Sequence, residues 1–204
     1  MPSVEITEKT YLKRINTLNQ SCAIPLRQFS KSSSTRIIDK HEATSMFGKI
    51  EYIVKANQSL LPVLKTCLKS FIKGQTDWSD QLCEQLEKIQ KPYCDYLAGY
   101  DSIKDTEQRL LKKSKGFRQL CERTKKSMYN DRMGRVGLRE LLMEPFQRVT
   151  CYILIFKQML KKMSSDNPER ANLLSCISTC NWIAFCELDS HLIKAATICV
   201  SFQR

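Results

Sequence analysis

The stretch LRELLMEPFQRVTCYILIFK, Leu138 to Lys157, decides how the chain is read. It predicts one long helix from about Gly137 to Met163, roughly 40 Å at 1.5 Å per residue. The helix should stop before the polar cluster Ser164 to Pro168. Glu144, Gln147, Arg148 and Cys151 stand three or four positions apart and therefore share a strip of its surface. Pro145 lies inside it, where a proline costs about 3 kcal/mol and marks a kink.

Outward from this segment the pattern stays helical. Val4, Tyr11, Ile15, Leu18 and Cys22 predict a first amphipathic helix, ending near Ile24-Pro25 because the residue before a proline avoids helical geometry. Glu8 falls on the same apolar face, where a carboxylate needs a partner. The Ser-rich Lys31 to Thr35 reads as a loop. From Glu42 to about Phe71, Met46, Ile50, Ile53, Leu60, Leu64 and Leu68 keep helical spacing, with Pro62 expected to bend the path or start a new helix. After a break at Gly74 to Asp77, a helix is expected from Trp78 to Leu97, with Gly99 suited to terminating it. Shorter helices, Ser102 to Leu111 and Gly116 to Lys126, lead to the turn-rich Asn130 to Gly134. A final helix carries Leu173, Ile177, Cys180, Ala184 and Leu188 on one side and extends to about Ala195. The Ser164 to Pro168 cluster can cap it. Neither a heptad nor a solenoid repeat is present.

Composition agrees. A chain of 204 residues fits a single domain spanning 1–204. Only six glycines and six prolines are available for turns, which argues against a sandwich or barrel. Ten cysteines without a C-x-x-C pair, behind an N-terminus lacking a signal-peptide pattern, point to a reducing compartment, hence a cytoplasmic chain whose thiols act as small apolar side chains. Cys176 and Cys180 are one turn apart, but a zinc site is not expected with two histidines in the chain. No run of residues is apolar for the length of a membrane span. Neither a phosphate-cradling glycine loop nor a nucleophile with a supporting base is present. Glu140 and Glu144 read as charges on a solvated helix rather than an acid pair. No cofactor, metal or covalent chemistry is expected. From Lys104 to Arg139 twelve Lys or Arg face four Asp or Glu, so the segment holds +8 of the net +12. Such a segment reads either as an attachment to an acidic membrane surface or as a solvated helical surface with a basic loop; without interleaved aromatics it does not suit nucleic acid.

The Leu138 to Lys157 segment, with paired leucines, Pro-x-Gln-Arg, then a tyrosine and an apolar run closing on a basic residue, resembles the signature of the Dbl homology (DH) domain family. Thr7-Glu8-Lys9-Thr10-Tyr11-Leu12 is similar to the family's opening Thr-Glu-x-x-Tyr. Met46-Phe47-Gly48-Lys49-Ile50-Glu51 is similar to its Phe-Gly-Asn-Ile-Glu element, with Lys49 in place of Asn. Lys91 to Tyr96 resembles the stretch carrying a Tyr-x-x-Tyr-like pair. The resemblance runs through nearly the whole chain in order.

It implies an all-α fold, an elongated bundle of about six helices. It also implies a guanine nucleotide exchange factor that stabilises the nucleotide-free state of a Rho-family small GTPase. The pleckstrin homology domain that usually follows is not expected within this chain. By resemblance, the first helix, the signature helix and the last helix form the GTPase surface. Glu8 would engage the first switch, Gln147 and Asn181 the second, and Met143 and Phe146 would select the partner, with Glu144, Arg148 and Cys151 beside them. Local alternatives are a partly buried salt bridge for Glu8, core packing for Met143 and Phe146, and an i, i+4 pair with Glu144 for Arg148. Glu144 stands where the family often has a lysine contacting acidic groups of the second switch, and Cys151 where a basic residue is frequent. The reversed charge at Glu144 supports a second reading, a helical scaffold that binds a GTPase or acidic membrane without driving exchange. The implied location is cytoplasmic, peripheral at membranes.

Overall fold

The computed structural model describes residues 4–30, 37–130, 134 and 136–201, with side chains through Cys186 apart from Phe29. Nine α-helices occur among the described residues: α1 Val4–Leu18, α2 Ile24–Phe29, α3 Lys40–Phe47, α4 Ile50–Ile72, α5 Ser79–Ala98, α6 Tyr100–Lys113, α7 Lys115–Asn130, α8 Leu138–Lys161 and α9 Arg170–Ser201. The expected loop at Lys31 to Thr35 and most of the turn after Asn130 lie outside those residues, as does the side chain of Leu188.

Five long helices close a ring. α1 packs on α4, α4 on α5, α5 on α9, α9 on α8, and α8 on α1. Each therefore buries two flanks, and the apolar stripes meet on Tyr11, Ile15, Leu60, Leu64, Leu86, Tyr152, Phe156 and Cys180. The shorter α3, α6 and α7 pack in succession beside one end.

Where the helices begin and end differs from the sequence reading in instructive ways. The first helix does not stop at Ile24-Pro25. A π-helical turn, Asn19–Ala23, intervenes, and Ile24 donates its N–H to the Asn19 carbonyl five residues back. Pro25 then occupies the first turn of α2, where a missing N–H costs nothing. The run from Glu42 to Phe71 is two helices. α3 starts on an Asp39 cap whose carboxylate accepts from Glu42 N (2.7 Å), while the Glu42 carboxylate accepts from Asp39 N (3.0 Å). It ends at Gly48, where a Cβ would stand 2.5 Å from the Thr44 carbonyl oxygen, so the corner into α4 admits only glycine.

Pro62, Pro92 and Pro145 all sit inside continuous helices. Pro62 and Pro92 leave the carbonyls of Gln58 and Lys88 without an intrahelical donor, and both residues are exposed to solvent. Near Pro145, Tyr96 of α5 donates to the Leu142 carbonyl at 2.6 Å, adding a hydrogen bond in the turn where the proline removes one. The turn between α4 and α5 passes through positive φ at Gly74 and Asp77. Glu169, just ahead of α9, fastens it by accepting from Asp77 N (2.8 Å) and Ser79 N (2.9 Å). Burial draws the Glu169 carboxyl upward, but these donors outweigh it and leave the carboxyl below its ordinary value.

Candidate functional site

α1 and α8 run side by side with two ion pairs between them. Glu8 is fully buried, and Arg148 is 5 % exposed. Arg148 Nη2 stands 2.5 Å from Glu8 Oε2, and its Nη1 donates to Thr7 Oγ1 at 3.4 Å. The Nη2–Oε2 contact is a buried ion pair, and Arg148 Nε has no hydrogen-bond partner. The guanidinium also lies 4.8 Å from the centre of the Tyr152 ring and 5.7 Å from that of Tyr11, both within cation–π range.

Below Arg148 a polar chain ties four of the five ring helices together. Tyr152 OH reaches Glu8 Oε1 at 2.9 Å and Asn57 Oδ1 at 3.0 Å, sharing one proton between them. Tyr93 OH donates to the same Asn57 Oδ1 at 3.0 Å, and the Tyr11 and Tyr93 hydroxyls are 3.0 Å apart. Asn57 Nδ2 donates to the Ile53 carbonyl at 2.8 Å. Burial pushes the Glu8 carboxyl above its ordinary value, opposed by the Arg148 charge and the Tyr152 hydroxyl. Burial likewise raises Tyr11, Tyr93 and Tyr152, so all three hydroxyls stay protonated and able to donate.

The second pair is Arg14 Nη1 with Glu144 Oε1, at 2.7 Å. Glu144 is thus not a free acid facing solvent; its charge is met by a cation from the opposite helix, and it is not the partner of Arg148. The alternative i, i+4 pair does not form; two crossings between helices stand in its place.

A groove lies over these pairs, walled on α1 by Thr7, Thr10 and Arg14 and on α8 by Glu144, Gln147, Arg148 and Cys151. The polar strip read from the sequence is therefore one face of a cleft. Gln147 and Cys151 are exposed, and Met143 is 37 % exposed, so core packing is not its role. Phe146 is partly buried against the core. Glu8 departs from expectation most. It lies on α1, but Arg148 and Tyr152 hold its carboxylate and it is fully buried.

Asn181 is half-buried on α9 and does not line the groove. Helical spacing sets it on one face with Leu174, Trp182 and Phe185, which are 51–58 % exposed. This apolar strip was missed in the sequence, although two aromatics three apart, opposite Leu173, Ile177 and Cys180, were its signal. Together with Met143 and Leu154 on the neighbouring α8, it gives adjoining helices exposed apolar surface.

A family model described as the RhoGEF domain matches residues 5–185. Rac guanine nucleotide exchange factor B of Dictyostelium discoideum is 24% identical over 186 residues, covering 80% of this chain and 15% of the relative. FYVE, RhoGEF and PH domain-containing protein 3 of Homo sapiens is 28% identical over 180 residues, covering 85% of this chain and 23% of the relative. The chain thus spans about a fifth of the length of these curated relatives. Among solved structures, the DH/PH domain of human ARHGEF11, in a ternary complex with human RhoA and its inhibitor, aligns with a TM-score of 0.75 at 15% identity, covering 92% of this chain and 51% of that one. The apo structure of the activated truncation of Vav1 aligns with a TM-score of 0.72 at 21% identity, covering 95% and 47%. This likeness establishes the fold, and the family match extends over most of the sequence. The chain belongs to the RhoGEF domain family.

Proposed function

We propose that this chain is a guanine nucleotide exchange module for a Rho-family small GTPase, with the groove between α1 and α8 and the exposed faces of α8 and α9 as its contact surface. The observation that carries the reading is the clustering of Glu144, Gln147, Arg148 and Cys151 in one cleft of a RhoGEF-family chain. Relatives named as Rac and Rho exchange factors, and a solved complex with RhoA, supply the partner class. The module accelerates exchange by binding the nucleotide-free GTPase better than the loaded form, so that by linkage it weakens nucleotide binding by the same factor. No bond is made or broken.

Gln147 and Asn181 contact the second switch, and Met143 with Phe146 meets the part of the partner that varies among Rho-type GTPases. Glu8 acts as a positioning residue: from beneath, it fixes the Arg148 guanidinium and with it the wall of the groove. The reading is tested by fluorescent GDP release from a panel of purified Rho-type GTPases. Acceleration with at least one of them is expected. Stable binding without acceleration of any would replace exchange by the scaffold reading.

The module works at the cytoplasmic face of acidic membranes, supported by the described cations of α6 and α7. Lys112, Lys113, Lys115, Arg118, Arg123, Lys125 and Lys126 are exposed. Arg109 and Arg139 are held by Glu42 and Glu107. With about 1 kcal/mol of attraction per basic residue near the surface, sedimentation with phosphatidylserine vesicles is expected at low salt and is lost at high salt. Binding indifferent to salt, or unchanged when Lys112, Lys113 and Lys115 are replaced by Glu, contradicts it.

A further inference from the structure

α5 and α9 face each other with thiols on both sides. Cys83 Sγ of α5 and Cys176 Sγ of α9 are 3.0 Å apart, and Cys83 also donates to the Asn172 carbonyl at 3.2 Å. Both cysteines are free. The sulfurs face one another from neighbouring helices and have about 1 Å left to close to a disulfide bond length. The two differ in environment. Cys83 is half-buried, whereas Cys176 is only 1 % exposed. The Cys176 thiol, donating toward Cys83, draws Cys83 below its ordinary value against burial and the nearby Asp80 and Glu87 charges, and Cys176 itself is raised.

Other thiols stand close by. Cys67 donates to the Trp78 carbonyl at 3.2 Å, and burial pushes it up to about 11; Cys180, also buried, is pushed up to about 12. A second thiol pair, Cys94 with Cys186, crosses the same helix pair, and burial pushes Cys94 up to about 12. Of the facing pair, Cys83 is the more exposed sulfur and the one drawn downward, and Cys176 is the buried partner behind it.

We propose that Cys83 and Cys176 form a peroxide-reactive dithiol, with Cys83 as the attacking sulfur and Cys176 as the resolving one. The Cys83 thiolate attacks one oxygen of a hydroperoxide. An S–O bond forms, the O–O bond breaks, and the departing hydroxide takes a proton to leave as water, or as the alcohol from an organic hydroperoxide. The Cys176 sulfur then attacks the sulfenic sulfur of Cys83. The S–S bond forms, the S–O bond breaks, and hydroxide leaves with the Cys176 proton as water. The dithiol has lost two electrons and the peroxide has gained them. A thiol reductant of the glutathione class reverses the change by exchange.

Burial of Cys176 protects it from direct oxidation, while its nearness traps Cys83 before further oxidation to sulfinic acid. The bridge closes a loop between residues 93 apart in sequence and pins α9 to α5 just ahead of Asn181 and Trp182. The inference does not rest on the exchange reading.

The test treats the folded chain with hydrogen peroxide, alkylates free thiols and maps peptides by mass spectrometry. The expected first product is a single Cys83–Cys176 linkage, formed roughly tenfold faster than any oxidation of Cys94. It should raise Tm by roughly 5–10 °C and disappear with dithiothreitol. In Cys176→Ala the expected product is Cys83 sulfenic acid, trapped by dimedone. A first linkage that joins other cysteines, or Cys83 left reduced while other thiols oxidise, overturns the proposal. The wild-type map alone decides this, whatever the stability of the variant.

Discussion

Replacing Arg148 by methionine is expected to lower the stability of the fold by about 3–5 kcal/mol, because it leaves the buried Glu8 charge without its partner. Urea denaturation monitored by circular dichroism measures it. The loss should depend on pH. In the native protein Glu8 is already raised above its ordinary value by burial, and Arg148 is the main opposing influence. Without Arg148 the carboxyl rises further. Between the ordinary carboxylate range and that raised value, the folded variant holds a proton that the unfolded chain has released, so stability falls as pH rises through this window. The variant should therefore be closest to wild type below the ordinary carboxylate range and furthest from it at neutral pH and above. Glu8→Gln added to Arg148→Met removes the stranded charge and should recover much of the loss. A loss independent of pH, or no recovery in the double variant, would mean that packing rather than charge is what Arg148 supplies.

On the exchange side, Gln147→Ala and Trp182→Ala are each expected to reduce stimulated GDP release about tenfold or more, the range of an interface anchor worth roughly 1–2 kcal/mol or above. Both side chains are exposed, so far-UV circular dichroism and Tm should stay at wild-type values. Asn181→Ala should act in the same direction. These positions separate binding from folding in a way Glu8→Ala does not, since that change empties a buried site and strands Arg148. If Gln147→Ala and Trp182→Ala both retain full exchange, the contact surface is elsewhere on the bundle. Glu144→Lys belongs in the same panel with Arg14→Glu beside it, because the single change sets two cations against each other.

Most helices were legible in the sequence because each buries a continuous stripe: α5 and α8 differ from expectation by a residue or two at each end. What stayed hidden depends on partners far along the chain. Proline at position 25 signalled a helix end, yet the π turn ahead of it lets the path continue. Local spacing offered Glu144 to Arg148, but Arg14 and Glu8, more than a hundred residues away, hold the two instead. Nothing local marks Asn57 as the acceptor for two tyrosines, or Glu169 as the clasp on the turn before α5. The candidate strip on α8 was readable because helical geometry alone groups its residues. The depth of Glu8 was not, because burial is a property of the neighbours.

Arg14 and Glu144 have a consequence for how this sequence can change. A lysine at position 144 would face Arg14 across a gap now bridged at 2.7 Å. A glutamate or aspartate at position 14 alone would face Glu144. Either single step sets like charges against each other, so the two substitutions should couple in a double-mutant cycle, the paired exchange costing less than the sum of the single changes.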